Sequence, residues 1–162
     1  MKKQILITSV AILMTIALFA QKSIPEMKIK DLYGTPVSTS EFTKGDQPVL
    51  LVFWATWCTH TIDGLGSISD DYLDDWSEEY DLKVVAVSVD DMRTFAKVKP
   101  MAISQGWEFD IYTDVNADFK RSMNVNNAPF MMLFNSDGKM AWQQNAFNPG
   151  DEEVIEAELE KL

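Results

Sequence analysis

The sequence has one cysteine, Cys58, and one histidine, His60, among 162 residues. A single cysteine excludes an internal disulfide and any zinc site built on paired cysteines. Basic residues are also scarce, 14 against 25 acidic ones, for a net charge of −11. That balance argues against nucleic acid and anionic lipid surfaces as partners. Glycine-rich phosphate loops, Ser-His-Asp orders, internal repeats and low-complexity tracts are missing. The stretch Asp114 to Asp118, DVNAD, begins like a calcium loop. Phe119 and Val125 stand where that loop needs glycine and glutamate, so no metal site is read here. One long uncharged apolar run occurs, Ile5 to Phe19, and it is shorter than the ~20 residues a spanning helix needs.

That run follows Lys2 and Lys3 and ends at Ala20 before a polar stretch, which is the pattern of a secretory signal peptide over residues 1–20. An uncleaved N-terminal anchor is the alternative. No cysteine follows the run, so a lipoprotein anchor is not supported. Without residues 1–20 the chain carries −13. The expected location is the bacterial periplasm or cell envelope. An exported chain meets an oxidising compartment, where a lone thiol is reactive, paired with another molecule, or buried and inert.

Residues 21–26 read as a linker and 27–162 as one domain. Alternation from Met27 to Phe42, with a turn at Tyr33-Gly34, predicts a hairpin. Pro48 to Trp54 is a continuous apolar run and predicts a buried central strand. Beyond Cys58, Ile62, Leu65, Ile68, Tyr72, Trp76 and Tyr80 recur at helical spacing, with the acids between them on a solvated face. Leu82 to Asp90 predicts a second buried strand, and Asp90 to Gln105 a helix interrupted by Pro100. A short strand at 109–112, a short helix at 117–123, a hairpin over 129–144 and a closing helix capped by Asp151 complete the chain. The order predicts an α/β domain with a central mixed sheet, helices on both faces and an N-terminal β-hairpin.

The segment FWATWCTHT, Phe53 to Thr61, resembles the TlpA/ResA-like branch of exported thiol–disulfide oxidoreductases. NAPFMMLFNSDGK, far downstream, makes the second half of that resemblance. It implies a thioredoxin-like fold, with Cys58 at the start of the first long helix and a cis bond before Pro129. It also implies that the backbone of Ala128 is free to pair with a substrate peptide. Two departures stand out. Thr61 replaces the second cysteine, and Gly64 and Gly66 stand where the family often carries an acid and a proline. Asp63 is the acid nearest to hand.

Cys58 can attack a disulfide, but Thr61 cannot resolve the product as a second thiolate would. The Thr61 hydroxyl can instead hydrogen-bond the sulfur and favour its ionised form. His60 holds the position from which an imidazolium would act likewise, or it is an exposed helix-start residue without a role. Trp54 and Trp57 are expected to shield the sulfur and offer a flat apolar surface, with Ala128 and Pro129, unless one of them packs helix to sheet. The leading reading is monothiol exchange. Exported proteins or small thiols would form a mixed disulfide with Cys58, and an external thiol would resolve it. The protein is expected to be a monomer and to need no cofactor. The alternatives are a non-catalytic binding module for exported proteins and a thiol peroxidase passing through a sulfenic acid.

Overall fold

A computed structural model describes residues 22–162; the expected signal peptide lies outside the described residues. Within these residues seven strands form one sheet: β1 (Lys28–Asp31), β2 (Pro36–Ser38), β3 (Val49–Trp54), β4 (Lys83–Ser88), β5 (Asp110–Thr113), β6 (Phe130–Phe134) and β7 (Met140–Gln144). Their spatial order is β2-β1-β5-β4-β3-β6-β7. The central three strands run parallel, and the flanking β1 and β6 run antiparallel to them. Among the described residues five α-helices accompany the sheet: α1 (Thr59–Ser67), α2 (Leu73–Tyr80), α3 (Val98–Gln105), α4 (Asp118–Ser122) and α5 (Asp151–Leu159). The mixed sheet with helices on both faces is the architecture expected from the sequence.

Strand β3 organises the core because both of its faces are covered. All six of its residues are buried. Side chains alternate across a strand, so Leu50, Val52 and Trp54 join one cluster with Leu65, Ile68, Trp76, Val98 and Ile155. Val49, Leu51 and Phe53 join the other, with Phe42, Phe119 and Met123. Each such aliphatic or aromatic side chain stabilises by roughly 1.5–3 kcal/mol when fully buried. Helices α1, α2, α3 and α5 therefore cover one face, and α4 the other.

Three elements differ from expectation for local reasons. The long helix after Cys58 is interrupted by a wider turn, Ile68–Tyr72, between α1 and α2. Its apolar residues there recur every four positions, and each such step overshoots a regular turn by about 40°. A wider turn takes up that drift. The helix expected from Asp90 begins as a single tight turn at Phe95–Lys97 and becomes regular only at Val98. Pro100 then falls in its first turn, where the missing N–H costs nothing. Asp151 does not cap α5. Gly150, at φ 92°, holds that position. The Asp151 carboxylate turns back instead to accept from Asn148 N–H at 2.6 Å and Gln144 Nε2 at 2.7 Å. The segment read as a linker is also tied down: Ser23 bridges Lys139, and Pro25 C=O accepts from Thr39 Oγ1 at 2.6 Å. Among the described residues no helix is long and apolar enough to cross a membrane.

Candidate functional site around Cys58

The three parallel strands end side by side, with Trp54 opposite Ser88 and Ser88 opposite Thr113. Beyond Trp54 the chain makes one turn, Ala55 to Cys58, closed by Cys58 N–H donating to Ala55 C=O at 3.0 Å. Cys58 is the N-cap of α1, and its carbonyl accepts from the N–H groups of Thr61 and Ile62 at 3.1 and 3.2 Å. Its sulfur accepts the Thr61 hydroxyl at 3.0 Å. Thr61 is fully buried and Cys58 partly exposed. The sulfur thus sits at the positive end of a helix dipole with one side-chain donor held against it. No second thiol accompanies it, because the sequence has one cysteine.

The remaining expected residues divide. Phe53 pairs with Phe130, so one register step further Pro129 lies across from Trp54, at the sheet end that carries Cys58. The Ala128–Pro129 bond is cis. Among the described residues the backbone N–H and C=O of Ala128 have no hydrogen-bond partner, which leaves them available to an extended peptide. Trp57 is 61% exposed. Trp54 is not a surface residue: it is fully buried, edge-on to Trp107 with ring centroids 4.9 Å apart. It packs helix to sheet and offers nothing to a partner. His60 is exposed, and two residues on from Cys58 it faces roughly 200° away around the helix. It makes no hydrogen bond to the sulfur among the described residues.

His60 lines a cleft of about 380 Å³ with Asp63, Ser67 and Tyr72 on one wall and Phe147 and Glu152 on the other. The structure explains Gly64 here. A Cβ at that position would lie 2.2 Å from the Phe147 ring. The ring fills the place where the resemblance suggested an acid. Three carboxylates line the cleft: exposed Asp63 and Asp71, and Glu152, which is 6% exposed and accepts Gly150 N–H at 3.0 Å. Burial, followed by the charges of Glu152, Glu153 and Asp71, raises the Tyr72 hydroxyl above its ordinary pKa. Among the described residues no group of three or more histidine, cysteine or acidic side chains is placed to hold a metal ion.

Asp90 is the site residue that the sequence reading missed. It is buried, and its carboxylate accepts from Thr56 N–H at 2.9 Å, Thr56 Oγ1 at 2.6 Å and Ser88 Oγ at 2.9 Å. The end of β4 thereby anchors the turn that delivers Cys58. The available signal was an acid closing a buried apolar strand, a position carboxylates rarely hold without partners.

With this geometry the comparisons with known proteins agree. Residues 20–147 match the AhpC/TSA family, and the chain belongs to it. A thioredoxin-like protein of Porphyromonas gingivalis is 31% identical, with a TM-score of 0.74 over 86% of this chain and 90% of that one. The structure named as thiol:disulfide interchange protein DsbE in Chlorobium tepidum has a TM-score of 0.75 at 23% identity, over 87% of this chain and 95% of the other. StoA from Bacillus subtilis has a TM-score of 0.64 at 19% identity, over 82% and 96% of the two chains. These likenesses establish a thioredoxin-like fold. A Haemophilus influenzae protein is 40% identical over 52 residues, which is 32% of each chain, so this match spans about a third of that relative.

Proposed function

We propose that this is an exported monothiol exchange protein working through Cys58. The observation that carries the reading is the buried Thr61 hydroxyl donating to the Cys58 sulfur at 3.0 Å, at the N-terminus of α1. The hydroxyl is placed to hydrogen-bond the sulfur as it attacks, and the thiolate is the attacking species. The thiolate attacks one sulfur of a partner disulfide. A Cys58–partner disulfide forms and the partner's other thiolate leaves. An external thiolate then attacks the partner's sulfur in that mixed disulfide and regenerates Cys58. The chain itself stores no electrons. Partner backbone would pair at Ala128, beside Pro129, with Trp57 covering the approach. The apolar run of residues 5–19 supports export to the cell envelope.

The test is the rate of iodoacetamide alkylation of residues 21–162 across pH, beside an unstructured cysteine peptide. At pH 7 Cys58 should react at least several-fold faster than the peptide, and Thr61→Val should remove most of that advantage. A Cys58 that reacts no faster, or only on unfolding, would sink the enzymatic reading in favour of a binding module on the same scaffold. Hydrogen peroxide in place of the alkylating agent tests for a peroxidase, which must yield a sulfenic acid at Cys58.

A further inference from the structure

A second surface lies between the β1–β2 hairpin and the segment after β4. The hairpin tip, beyond Asp31 opposite Tyr112, points away from the Cys58 end of the sheet, while Thr113 and the start of the segment after Ser88 lie at that end. Two clefts meet there on either side of Phe95. One, of about 540 Å³, is bounded by Leu32, Tyr33, Val98 and Pro100, with Lys30 and Lys99 at its rim. The other, of about 320 Å³, holds Ile29 and Met92, with Lys28 and Lys30 beside them. Tyr33 and Met92 are 78% and 77% exposed. These are large apolar side chains gathered on one face, not scattered singly, which is how interaction surfaces differ from ordinary ones.

The charge around them runs against the rest of the molecule. Twelve basic residues follow residue 20, and five of them are Lys28, Lys30, Arg93, Lys97 and Lys99. The acids nearby are consumed internally. Asp91 pairs with Arg93 at 2.6 Å and Asp118 with Arg121 at 2.5 Å. Asp114 accepts the N–H groups of Phe119 and Lys120, and Asp31 those of Tyr33 and Thr35. Lys28, Lys30, Lys97 and Lys99 pair with no carboxylate among the described residues. Lys99 Nζ lies 4.0 Å above the Tyr33 ring, a contact that leaves its charge available. In a chain of net charge −11, an apolar groove edged by unpaired lysines is complementary to carboxylates.

The groove is also near the thiol. Thr113 lines it, and Thr113, Ser88 and Trp54 lie on neighbouring strands. At ~4.8 Å between strands, the groove opens about 10 Å across the sheet from the end of β3. A polypeptide held at Cys58 can lay its next few residues there.

We infer that the groove between the β1–β2 tip and Phe95 is the docking surface for an acidic, apolar segment of the partner polypeptide that exchanges at Cys58. This rests on the proposed exchange reaction. Carboxylates of the segment would meet Lys28, Lys30 and Lys99, and its apolar side chains would lie against Tyr33, Phe95 and Met92. Long-range steering by the whole molecule would favour a basic partner. The groove favours an acidic one, so the two expectations have opposite signs.

Two synthetic peptides decide between them. They share the same leucine and phenylalanine residues and one cysteine carried as a mixed disulfide with thionitrobenzoate. One has four glutamates and the other four lysines. Attack by Cys58 forms the Cys58–peptide disulfide and releases coloured thionitrobenzoate. At 50 mM salt the acidic peptide should react at least ten-fold faster, and K30E/K99E should abolish the preference while K161E leaves it. A faster lysine peptide, or a preference that survives K30E/K99E, overturns the inference. If neither peptide releases thionitrobenzoate, the exchange reading fails by itself. The groove is then judged by amide shifts over residues 32–34 and 95–99 on adding each peptide with its cysteine replaced by serine. Shifts with the acidic peptide alone uphold it, and their absence refutes it. A dimer that K30E/K99E dissociates would make a second copy the occupant and also refute it.

Discussion

Gly64 and Gly66 occupy the same helix, two residues apart, and replacing each by alanine should have opposite effects. Alanine is favoured over glycine inside a helix by about 1 kcal/mol. At Gly66 no atom lies within 4 Å of the added Cβ, so G66A should gain up to about 1 kcal/mol. At Gly64 the Cβ would meet three atoms of the Phe147 ring at 2.2 to 2.6 Å. That ring is 3% exposed and belongs to the core cluster, so it has little room to turn away. Overpacking costs roughly 1–3 kcal/mol, and contacts this short place it at the upper end. The net loss in G64A should be about 2 kcal/mol, and the two variants should differ by about 3 kcal/mol. Urea unfolding measures this directly, with the midpoint moving and the slope unchanged. In an F147A background, itself weaker by about 3–5 kcal/mol, the added methyl enters the vacated space and G64A should become stabilising. If G64A is as stable as G66A, Phe147 does not cover the helix and the wall of the His60 cleft is wrongly built.

Two further outcomes follow from groups at the ends of the central strands. D90A leaves Thr56 N–H, Thr56 Oγ1 and Ser88 Oγ without their acceptor. With roughly 1.5–3 kcal/mol for each bond to a charged group and partial rescue by water, about 3 kcal/mol of stability should be lost. D90N should recover part of it, and a D90A protein as stable as the parent would refute the anchoring role. Burial, then the neighbouring Asp110, Asp31 and Glu41 charges, raises the Tyr112 hydroxyl to about 12 from 10.0. Its contribution to stability is complete below pH 10, because both states are then protonated. It is lost as pH rises toward 12, where the unfolded chain ionises first. Tyr72 and Tyr80 are also raised, so absorbance at 295 nm should show a late-titrating set whose component near 12 disappears in Y112F, and a tyrosine set complete by pH 11 contradicts the placement.

What was legible in the sequence was whatever periodicity writes locally. Strand β3 is an unbroken apolar run because both faces are covered, and its six buried residues say so directly. The hairpin of β6 and β7 announced itself by Asn135 to Gly138, where Gly138 takes φ 70°. The partners made across the fold were not legible. Nothing near Asp90 in sequence points to Thr56, thirty-four residues earlier, yet that pairing ties the end of β4 to the turn before Cys58. Nothing near Gly64 points to Phe147. Trp54 and Trp57 look alike in the motif, and only the sheet shows that one packs inward and the other faces out.

These hidden partners bear on the proposed exchange at Cys58. The N-cap position of Cys58 depends on the turn at Ala55 and on Asp90, and neither involves residue 61. Thr61 is buried and its hydroxyl donates to the sulfur, the contact on which the proposed exchange rests. On the proposed reading attack and resolution are separable: the first would belong to the strand end and helix start, the second to an outside thiol. Once resolution is given to an outside thiol, the lifetime of a mixed disulfide depends on how readily that thiol reaches it. A partner held along a neighbouring groove would then bear on exchange as much as the reactivity of the sulfur, which is why surface charge near Phe95 belongs to the same problem as the chemistry at Cys58.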